Sequence, residues 1–243
     1  MGISNFVRRQ YVQLAHRRPF QLGETGPLVS FTFDDFPRTA YTCGGMILKD
    51  FGVRGTYYTA AGLMNGQGPS GDHFVLEDLI LVVADGHELA SHTFSHISSY
   101  SVPAGAYFED VCVGRESLRK MPNLVVSDNF AFPFGAVTAA SKLAVGKNMR
   151  SCRSTLGGVN GALVDLNLLR ANALYGDTEQ VGRVERLLDE TARTRGWLIF
   201  YTHDVRKDYS PYGCSPRLFE LAVKAATRRS MEIVTIEEVT SRS

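Results

Sequence analysis

The stretch LVSFTFDD, residues Leu28–Asp35, decides the fold that this sequence predicts. Its short apolar run of β-branched and aromatic residues predicts a buried strand, which must stop before Pro37. Because successive strand side chains point to opposite faces, Asp34 and Asp35 can have different roles, one binding a metal and the other taking a proton. A polar turn in which Asp35 caps the next helix is the alternative that this stretch alone leaves open.

Strands and helices alternate along the rest of the chain. Helices are predicted over Thr39–Phe51, Val75–Ala84, Ser101–Lys120, Thr138–Met149, Thr178–Arg195 and Pro216–Arg228. Strands are predicted over Gly55–Ala61, His87–Ser91, Phe130–Phe134, Ser151–Leu156, Leu168–Ala171, Trp197–His203 and Glu232–Ile236. This alternation favours a parallel α/β sheet or barrel, in a single domain over residues 28–243.

Residues 1–27 are predicted to form an N-terminal arm. Phe6, Val7, Tyr11 and Leu14, with nearby arginines, can form a short amphipathic helix that docks on the domain, mediates a dimer or touches a membrane surface. The arm has no apolar segment typical of a secretory signal, and the chain has no run of about 18 apolar residues. A cytoplasmic protein without a transmembrane segment is therefore expected.

Composition narrows the class of protein. The chain of 243 residues carries a net charge of +1, which gives no sign of a nucleic-acid-binding surface. Its four cysteines are far apart and form no CxxC pair, so we expect reduced thiols.

Polar residues follow several predicted strands at the point where each strand ends. Asp34 and Asp35 end the first strand, His92 follows the third, and His203 ends the strand that begins at Trp197. The turn Pro133–Gly135 ends another. In parallel β/α barrels this edge of the sheet is where active sites assemble, so these residues are expected to lie together.

The motif HTFSH places His92 and His96 four residues apart. On one turn of helix this spacing puts both imidazoles on the same side, and a carboxylate then completes a three-ligand metal site with a position open for water. Histidines at this spacing are also common as ordinary surface or core residues. His87, at the start of the strand, is expected to be structural.

The segments TFDD, HTFSH, FAFPFG and YTH together resemble the NodB-homology polysaccharide deacetylases, carbohydrate esterase family four, across Leu28–Ile236. The resemblance implies a distorted (β/α) TIM-like barrel, with about seven parallel strands. It also implies a divalent metal, with Zn²⁺ first and Co²⁺, Ni²⁺ or Mn²⁺ as alternatives.

Site roles follow from the same resemblance. Asp35, His92 and His96 match the metal ligands, and Asp34 matches the general base. The general acid corresponds to His203, and the oxyanion donor corresponds to the backbone N–H of Phe134.

Two departures from the family pattern concern the surroundings of the site. Many members carry an arginine two residues before the motif proline, where this chain has Ala131, and the family's DxxDW motif is absent. We therefore expect Arg170 to reach the base or another site carboxylate, and Asp165 or Asp177 to contact His203.

Three functions remain open at this stage. The first is removal of N-acetyl groups from an acetylated sugar or glycan, with release of acetate. A homodimer is one option for the assembly of the protein. The second is hydrolysis of a non-sugar amide or a cyclic imide or ureide at the same metal site, and the third is a glycan-binding pseudoenzyme. A binding protein needs neither a base nor an acid, so the presence of both Asp34 and His203 favours an enzyme. The aromatic residues that could stack on sugar rings are Tyr57, Tyr58, Tyr209 and Tyr212.

Overall fold

A curled parallel β-sheet forms the centre of the molecule. The structure, a computed structural model, describes residues 10–23 and 26–242. In chain order its strands are β1 (Pro19–Gln21), β2 (Leu28–Asp34), β3 (Thr56–Thr59), β4 (Gln67–Gly68), β5 (Gly71–Asp72), β6 (Glu88–Ser91), β7 (Val126–Ala131), β8 (Ser151–Arg153), β9 (Leu163–Asp165), β10 (Asn172–Ala173), β11 (Trp197–Thr202) and β12 (Glu232–Ile233).

Helices connect the strands and cover the outside of the sheet. In chain order they are α1 (Met46–Asp50), α2 (Leu76–Ala84), α3 (Ala104–Arg119), α4 (Ala139–Gly146), α5 (Val181–Thr194), α6 (Pro216–Arg228) and α7 (Ile236–Thr240). The π-helical residues Ala40–Gly45 lead directly into α1, and residues 10–14 are helical as well.

Seven strands pair in parallel in the spatial order β10-β11-β2-β3-β6-β7-β8, and β12 pairs with the beginning of β2. The sheet curls into a half-barrel, which confirms the expected fold class. All of these strands end at the same edge, so residues just beyond their carboxyl ends meet there.

Strand β2 lies in the middle of the sheet and is buried along its whole length. Phe33 stacks on Tyr57 of β3 at 4.7 Å between ring centroids, and Phe31 stacks on Phe200 of β11 at 5.6 Å. On the face opposite to Phe31 and Phe33 the polar residues Ser30 and Thr32 are buried as well, so the strand is covered on both sides although LVSFTF alternates in polarity. The apolar packing fixes the position of the two carboxylates at the end of the strand.

Several predicted strands are shorter in the structure, among them Glu232–Ile236, where β12 ends at Ile233 and α7 begins at Ile236. Two others differ in position. In the segment Leu168–Ala171 only Leu169 makes a bridge, to Arg153 of β8, and the seventh strand of the sheet is β10 instead. Strand β7 begins at Val126, earlier than predicted, because its polar residues Ser127 and Asn129 donate hydrogen bonds inward to the buried carboxylate of Glu88. Polar side chains in a strand hide the apolar pattern from sequence analysis.

The described part of the N-terminal arm is attached to the domain. Strand β1 pairs antiparallel with β9, and the buried Lys142 Nζ donates hydrogen bonds to Val12 O at 2.9 Å and to Asp165 Oδ2 at 2.8 Å. Of the predicted amphipathic helix, Phe6 and Val7 lie outside the described residues. Within the described residues no helix is both long and apolar enough to cross a membrane. The four cysteines are free thiols.

Candidate active site and metal centre

Strand ends of β2, β6 and β11 bring together the residues that the sequence singled out. Asp34 ends β2, His92 follows β6, and His203 follows β11. Asp35 lies at the centre: its Oδ1 is 2.9 Å from His96 Nε2 and 3.4 Å from His92 Nε2, and its Oδ2 is 3.7 Å from His203 Nε2.

The donor atoms of Asp35, His92 and His96 fit a divalent metal ion. The three ligand atoms lie within 4.8 Å of one another. Two ligands on tetrahedral zinc are separated by about 3.4 Å, close to the distance between Asp35 and His92. Asp35 Oδ1 is buried and has no aligned hydrogen-bond donor among the described residues. An orphaned carboxylate oxygen facing two imidazole nitrogens is what a cation site requires.

Electrostatics around two of the ligands, His92 and Asp35, favour the forms that bind metals. Burial lowers the pKa of His92 to about 4, against the opposing charges of Asp34 and Asp35, so its imidazole is neutral. Burial also raises the pKa of Asp35, but contact with His96 and the charges of His92, His96 and His203 lower it by more, and the carboxylate is ionised.

His92 is oriented by the neighbouring strand. Its Nδ1 lies 2.7 Å from the carbonyl oxygen of Ala131, the last residue of β7. A carbonyl can only accept, so this hydrogen bond assigns the proton to Nδ1 and leaves the lone pair of Nε2 facing Asp35.

His92 and His96 do not lie on a helix, which corrects the expected basis of their pairing. The chain between them is a loop in which Thr93 and His96 have positive φ angles of 66° and 52°. This loop folds back so that the two ring centroids are 5.2 Å apart. Two residues of α3 hold it, Asp110 and Gly114.

Asp110 and Gly114 act on the histidine loop in different ways. Asp110 Oδ2 accepts hydrogen bonds at 3.0 Å from the backbone N–H groups of Phe94 and Ser95. Gly114 lets the helix approach closely, because a Cβ there would lie 2.4 Å from the backbone of Thr93. The loop conformation therefore depends on helix α3 as much as on its own residues.

The partner of Asp34 is Arg153, not Arg170. The fully buried Arg153 at the end of β8 places Nη2 2.5 and 2.6 Å from the two oxygens of Asp34. Its guanidinium carbon lies 5.1 and 5.0 Å from the ring centroids of Tyr58 and Tyr201, so that aromatic faces enclose the ion pair.

The expectation for Arg170 was wrong because its segment turns away from the site. The Arg170 side chain donates hydrogen bonds to Gly157 O and Gln13 Oε1, and its backbone N–H donates to Asn160 Oδ1. The sequence analysis missed Arg153, and the one available signal was a charged residue inside the short predicted strand Ser151–Leu156, since buried arginines are rare unless paired.

The expected contact of Asp165 or Asp177 with His203 is not formed. Asp165 accepts hydrogen bonds from Lys142 and from the backbone N–H of Arg18, and Asp177 accepts from Thr178 and Ser215. Both carboxylates are thus engaged elsewhere. The Nδ1 of His203 instead lies 3.1 Å from the carbonyl oxygen of Tyr212.

Aromatic rings border the site on two sides. Phe134 is 68% exposed and its ring centroid is 4.6 Å from that of His96. Tyr212 is 51% exposed and its ring is 5.7 Å from that of His203. Tyr57 and Tyr58 are fully buried, so the expectation that they stack on a sugar was wrong.

Left-handed backbone conformations are concentrated around the site. Positive φ angles occur at Asp35, Phe36, Thr93, His96 and Phe134, at 52–66°. None of these residues is glycine, so each conformation is strained.

His73 is a buried histidine near the site that the sequence analysis missed. Its backbone forms an isolated antiparallel β-bridge with Pro37, two residues beyond Asp35. Its side-chain Nδ1 has no hydrogen-bond partner among the described residues. Burial lowers the pKa of His73, which keeps the ring neutral. Nothing in its sequence surroundings separates it from an ordinary core histidine.

Comparison with known proteins identifies the family. A sequence model of the polysaccharide deacetylases matches residues 23–150, more than half of the chain. The chain belongs to the polysaccharide deacetylase family. The matched segment contains Asp34, Asp35, His92, His96 and Phe134, whereas Arg153 and His203 lie beyond it. No curated protein matches the chain.

Solved structures support the polysaccharide deacetylase fold. The chitin deacetylase of the fungal pathogen Colletotrichum lindemuthianum is 17% identical, with a TM-score of 0.62 and 90% coverage of each chain. A family 4 acetyl xylan esterase from Clostridium thermocellum, in complex with a cobalt ion, is 18% identical, with a TM-score of 0.60 over 87% of this chain and 89% of that one. A mutant of a family 4 pseudoenzyme is 15% identical, with a TM-score of 0.57 over 89% and 68%. At these identities the comparison establishes the fold.

Proposed function

We propose that the protein is a metal-dependent hydrolase that removes N-acetyl groups from an acetylated sugar or glycan and releases acetate. The observation that carries this proposal is the convergence of Asp35 Oδ1 with the Nε2 atoms of His92 and His96, beside Asp34 and His203. Residues 28–243 form the catalytic domain in this proposal.

Asp35, His92 and His96 hold the ion, with zinc as the first choice and Co²⁺, Ni²⁺ or Mn²⁺ as alternatives. Two imidazoles and one carboxylate are a ligand set found in catalytic zinc sites. When bound, such an ion polarises an acyl oxygen and lowers the pKa of water. The hydrogen bond from His92 to the Ala131 carbonyl fixes the ring that faces the ion.

Asp34 takes the proton of the attacking water. Its carboxylate lies next to Asp35 in the chain and is almost fully buried. Arg153 holds both oxygens, so the base is fixed relative to the metal ligands before substrate arrives.

His203, in its doubly protonated form, gives the Nε2 proton to the leaving amine and keeps the proton on Nδ1. An amine is a poor leaving group without a proton, and an acid placed within reach of the nitrogen typically contributes about 10²–10⁴-fold in rate. The Nε2 of His203 faces Asp35, and its Nδ1 faces the Tyr212 carbonyl. His203 follows β11, which lies on one side of β2 in the sheet, whereas β7 and the Phe134 turn lie on the other side. The His203 ring and Phe134 therefore approach the metal ligands from opposite sides.

Phe134 supplies its backbone N–H to the developing oxyanion. Its strained φ of 60° on the turn after β7 supports a role in presenting that group, since preorganised donors act without reorganisation. The exposed rings of Phe134 and Tyr212 offer apolar faces on which a sugar ring can stack.

The structural similarity to a pseudoenzyme means that fold alone does not decide between an enzyme and a glycan-binding protein. The side chains favour the enzyme, because Asp34 and His203 are both present beside the three ligands. Chitin is named for one structural neighbour and is the N-acetylated glycan to test first, whereas acetyl xylan, named for another, carries O-acetyl esters.

The first experiment is metal analysis of the wild type and of His92→Ala, with His87→Asn as the control for a buried histidine outside the site. We expect one zinc per chain in the wild type and in the control, and loss of zinc in His92→Ala. No metal in the wild type after reconstitution with zinc or cobalt would contradict the proposal.

A substrate panel then separates the remaining functions. Acetate release from N-acetylchitooligosaccharides or peptidoglycan fragments supports the deacetylase. Hydrolysis of cyclic imides or ureides alone supports the non-sugar amidase. Binding of the glycans without turnover by the metal-loaded protein supports the pseudoenzyme.

A further inference from the structure

The shortest polar contact of the His203 ring is with one loop carbonyl, and the Tyr175 hydroxyl lies farther from Nδ1, at 3.5 Å. Both the backbone N–H and the Nδ1 of His203 lie 3.1 Å from the carbonyl oxygen of Tyr212. Because a carbonyl oxygen only accepts, it holds the proton on Nδ1 and directs Nε2 toward Asp35. The ring orientation and tautomer therefore depend on where residues 203–214 place this carbonyl.

The buried carboxylate of Asp204 lies at the centre of that loop. Its Oδ2 accepts hydrogen bonds from the Ser210 backbone N–H at 2.8 Å and from Arg206 Nε at 2.9 Å. Its Oδ1 accepts from the Ser210 hydroxyl at 2.5 Å. The side chain is fully inaccessible to solvent, so breaking these hydrogen bonds would leave a buried carboxylate without partners and destabilise the loop.

The Ser210 hydroxyl links the Asp204 carboxylate to the backbone of Tyr212. Its hydroxyl donates to Asp204 and accepts a hydrogen bond from the Tyr212 backbone N–H at 3.1 Å. The backbone N–H of Tyr212 is thus held by Ser210, and the backbone carbonyl of Tyr212 contacts His203.

The end of the loop closes around the same carboxylate. Cys214 N–H donates to the backbone carbonyl of Asp204 at 2.9 Å, and Gly213 N–H donates to the carbonyl of Ser210 at 3.0 Å. A Cβ at Gly213 would lie 2.3 Å from Asp204 Oδ1, so only glycine fits there without displacing the carboxylate.

We propose that Asp204 is a positioning residue for His203 and acts through Ser210 and the carbonyl of Tyr212. This inference rests on the proposed function, in which His203 protonates the leaving amine. Asp204 itself makes its side-chain hydrogen bonds to the loop. Its removal therefore frees the Tyr212 carbonyl and lets the His203 ring rotate and exchange tautomers.

The test compares two substrates with different leaving groups on the zinc-loaded protein. An N-acetyl amide needs a proton on its leaving nitrogen, whereas the phenolate of 4-nitrophenyl acetate leaves without one. In Asp204→Ala we expect kcat on the amide to fall by about 10–100-fold, with KM and ester turnover within about twofold and zinc content unchanged. His203→Ala should show the same selectivity for the leaving group.

Two further variants keep the test decisive if Asp204→Ala folds poorly. Ser210→Ala removes only the hydroxyl between Asp204 and Tyr212, and should show the same selective loss in smaller degree. Ser151→Ala removes an equally buried hydroxyl at the start of β8, bonded to Asn129, and should leave the amide-to-ester ratio unchanged. Equal losses on both substrates in Asp204→Ala and Ser210→Ala would overturn the inference.

Nitrogen NMR of the histidine rings separates failure of this inference from failure of the proposed function. In the neutral ring of His203 we expect the proton on Nδ1 in the wild type and both tautomers in Asp204→Ala. That change without turnover of any acetylated substrate would remove the proposed function and keep the positioning role. An unchanged tautomer with an unchanged amide-to-ester ratio would overturn the positioning role and keep the function.

Discussion

Arg153 and Asp34 form a buried ion pair in which one guanidinium nitrogen lies 2.5 and 2.6 Å from the two carboxylate oxygens. The two residues are 119 positions apart in the chain and come from the ends of strands β8 and β2. Because both are almost inaccessible to solvent, removing either charge leaves the other uncompensated in a medium of low polarity.

Arg153→Ala is expected to destabilise the protein and to slow turnover. The isolated Asp34 carboxylate should cost about 3–5 kcal/mol in the free energy of unfolding. Arg153→Lys restores the charge but not the planar fork, so it should recover stability more than kcat. Urea denaturation and steady-state kinetics measure the two effects.

Arg170→Ala is the matched control for this prediction. Arg170 contacts Gly157 and Gln13 rather than a site carboxylate. The kcat of the Arg170→Ala variant should therefore stay within about twofold of the wild-type value. A larger fall of kcat in Arg170→Ala than in Arg153→Ala would contradict the assignment.

Asp34→Asn should lower the free energy of unfolding, because Arg153 is left without its counter-charge, but should still fold and bind the metal. Its turnover should fall by about 10²–10⁴-fold, because an amide cannot take a proton from water. Zinc analysis and acetate release measure metal binding and turnover in one preparation. Asp128→Asn, which changes a half-exposed carboxylate paired with Arg115 and Arg119, should keep full activity. Full activity in Asp34→Asn would exclude Asp34 as the base.

Gly114→Ala should weaken metal binding from a distance. The added Cβ would lie 2.4 Å from the backbone of Thr93, so the loop that carries His92 and His96 must shift. Competition with a chelator should show a lower zinc affinity. Gly105→Ala adds a methyl group to the same helix where no atom lies within 4 Å, and should leave zinc affinity unchanged. Equal affinities in the two variants would show that the loop tolerates the displacement.

His87 should make stability fall at acid pH. Burial lowers the pKa of His87 to about 4 from an ordinary value of 6.5, and its Nδ1 accepts a hydrogen bond from the Gly55 N–H. The unfolded chain therefore takes up the proton first as the pH falls, and stability is lost between pH 6.5 and about 4. A pKa difference of this size corresponds to about 3 kcal/mol in the free energy of unfolding.

The comparison of wild type with His87→Asn isolates this effect. Asparagine offers an oxygen to the Gly55 N–H and does not titrate, so its unfolding free energy should depend less on pH in the same window. Parallel curves for the two proteins between pH 7 and pH 4 would show that His87 makes no such contribution.

Local pattern was enough to predict the strands that carry the site. The apolar runs before Asp34 and before His203 have no competing interpretation, because both strands are buried on both faces. The contacts of Arg153, Asp204 and the Tyr212 carbonyl could not be predicted. They depend on pairing between distant segments and on loop geometry, which periodicity does not encode.

The histidine pair shows how a correct grouping can rest on an incorrect local structure. Four-residue spacing suggested a helix, whereas the structure brings His92 and His96 together through positive φ angles at Thr93 and His96. Those angles are imposed by packing against Gly114 and hydrogen bonds to Asp110, both on a helix that follows in the chain.

The left-handed residues around the site set a limit on engineering this protein for heat resistance. The strained conformation at Thr93 costs about 1–3 kcal/mol, and glycine would adopt it freely. A library selected for melting temperature alone would therefore enrich glycine at this position and loosen the loop that carries the two histidine ligands. Selection has to include a functional screen, since here thermal robustness and catalytic competence make opposite demands on the same backbone angles.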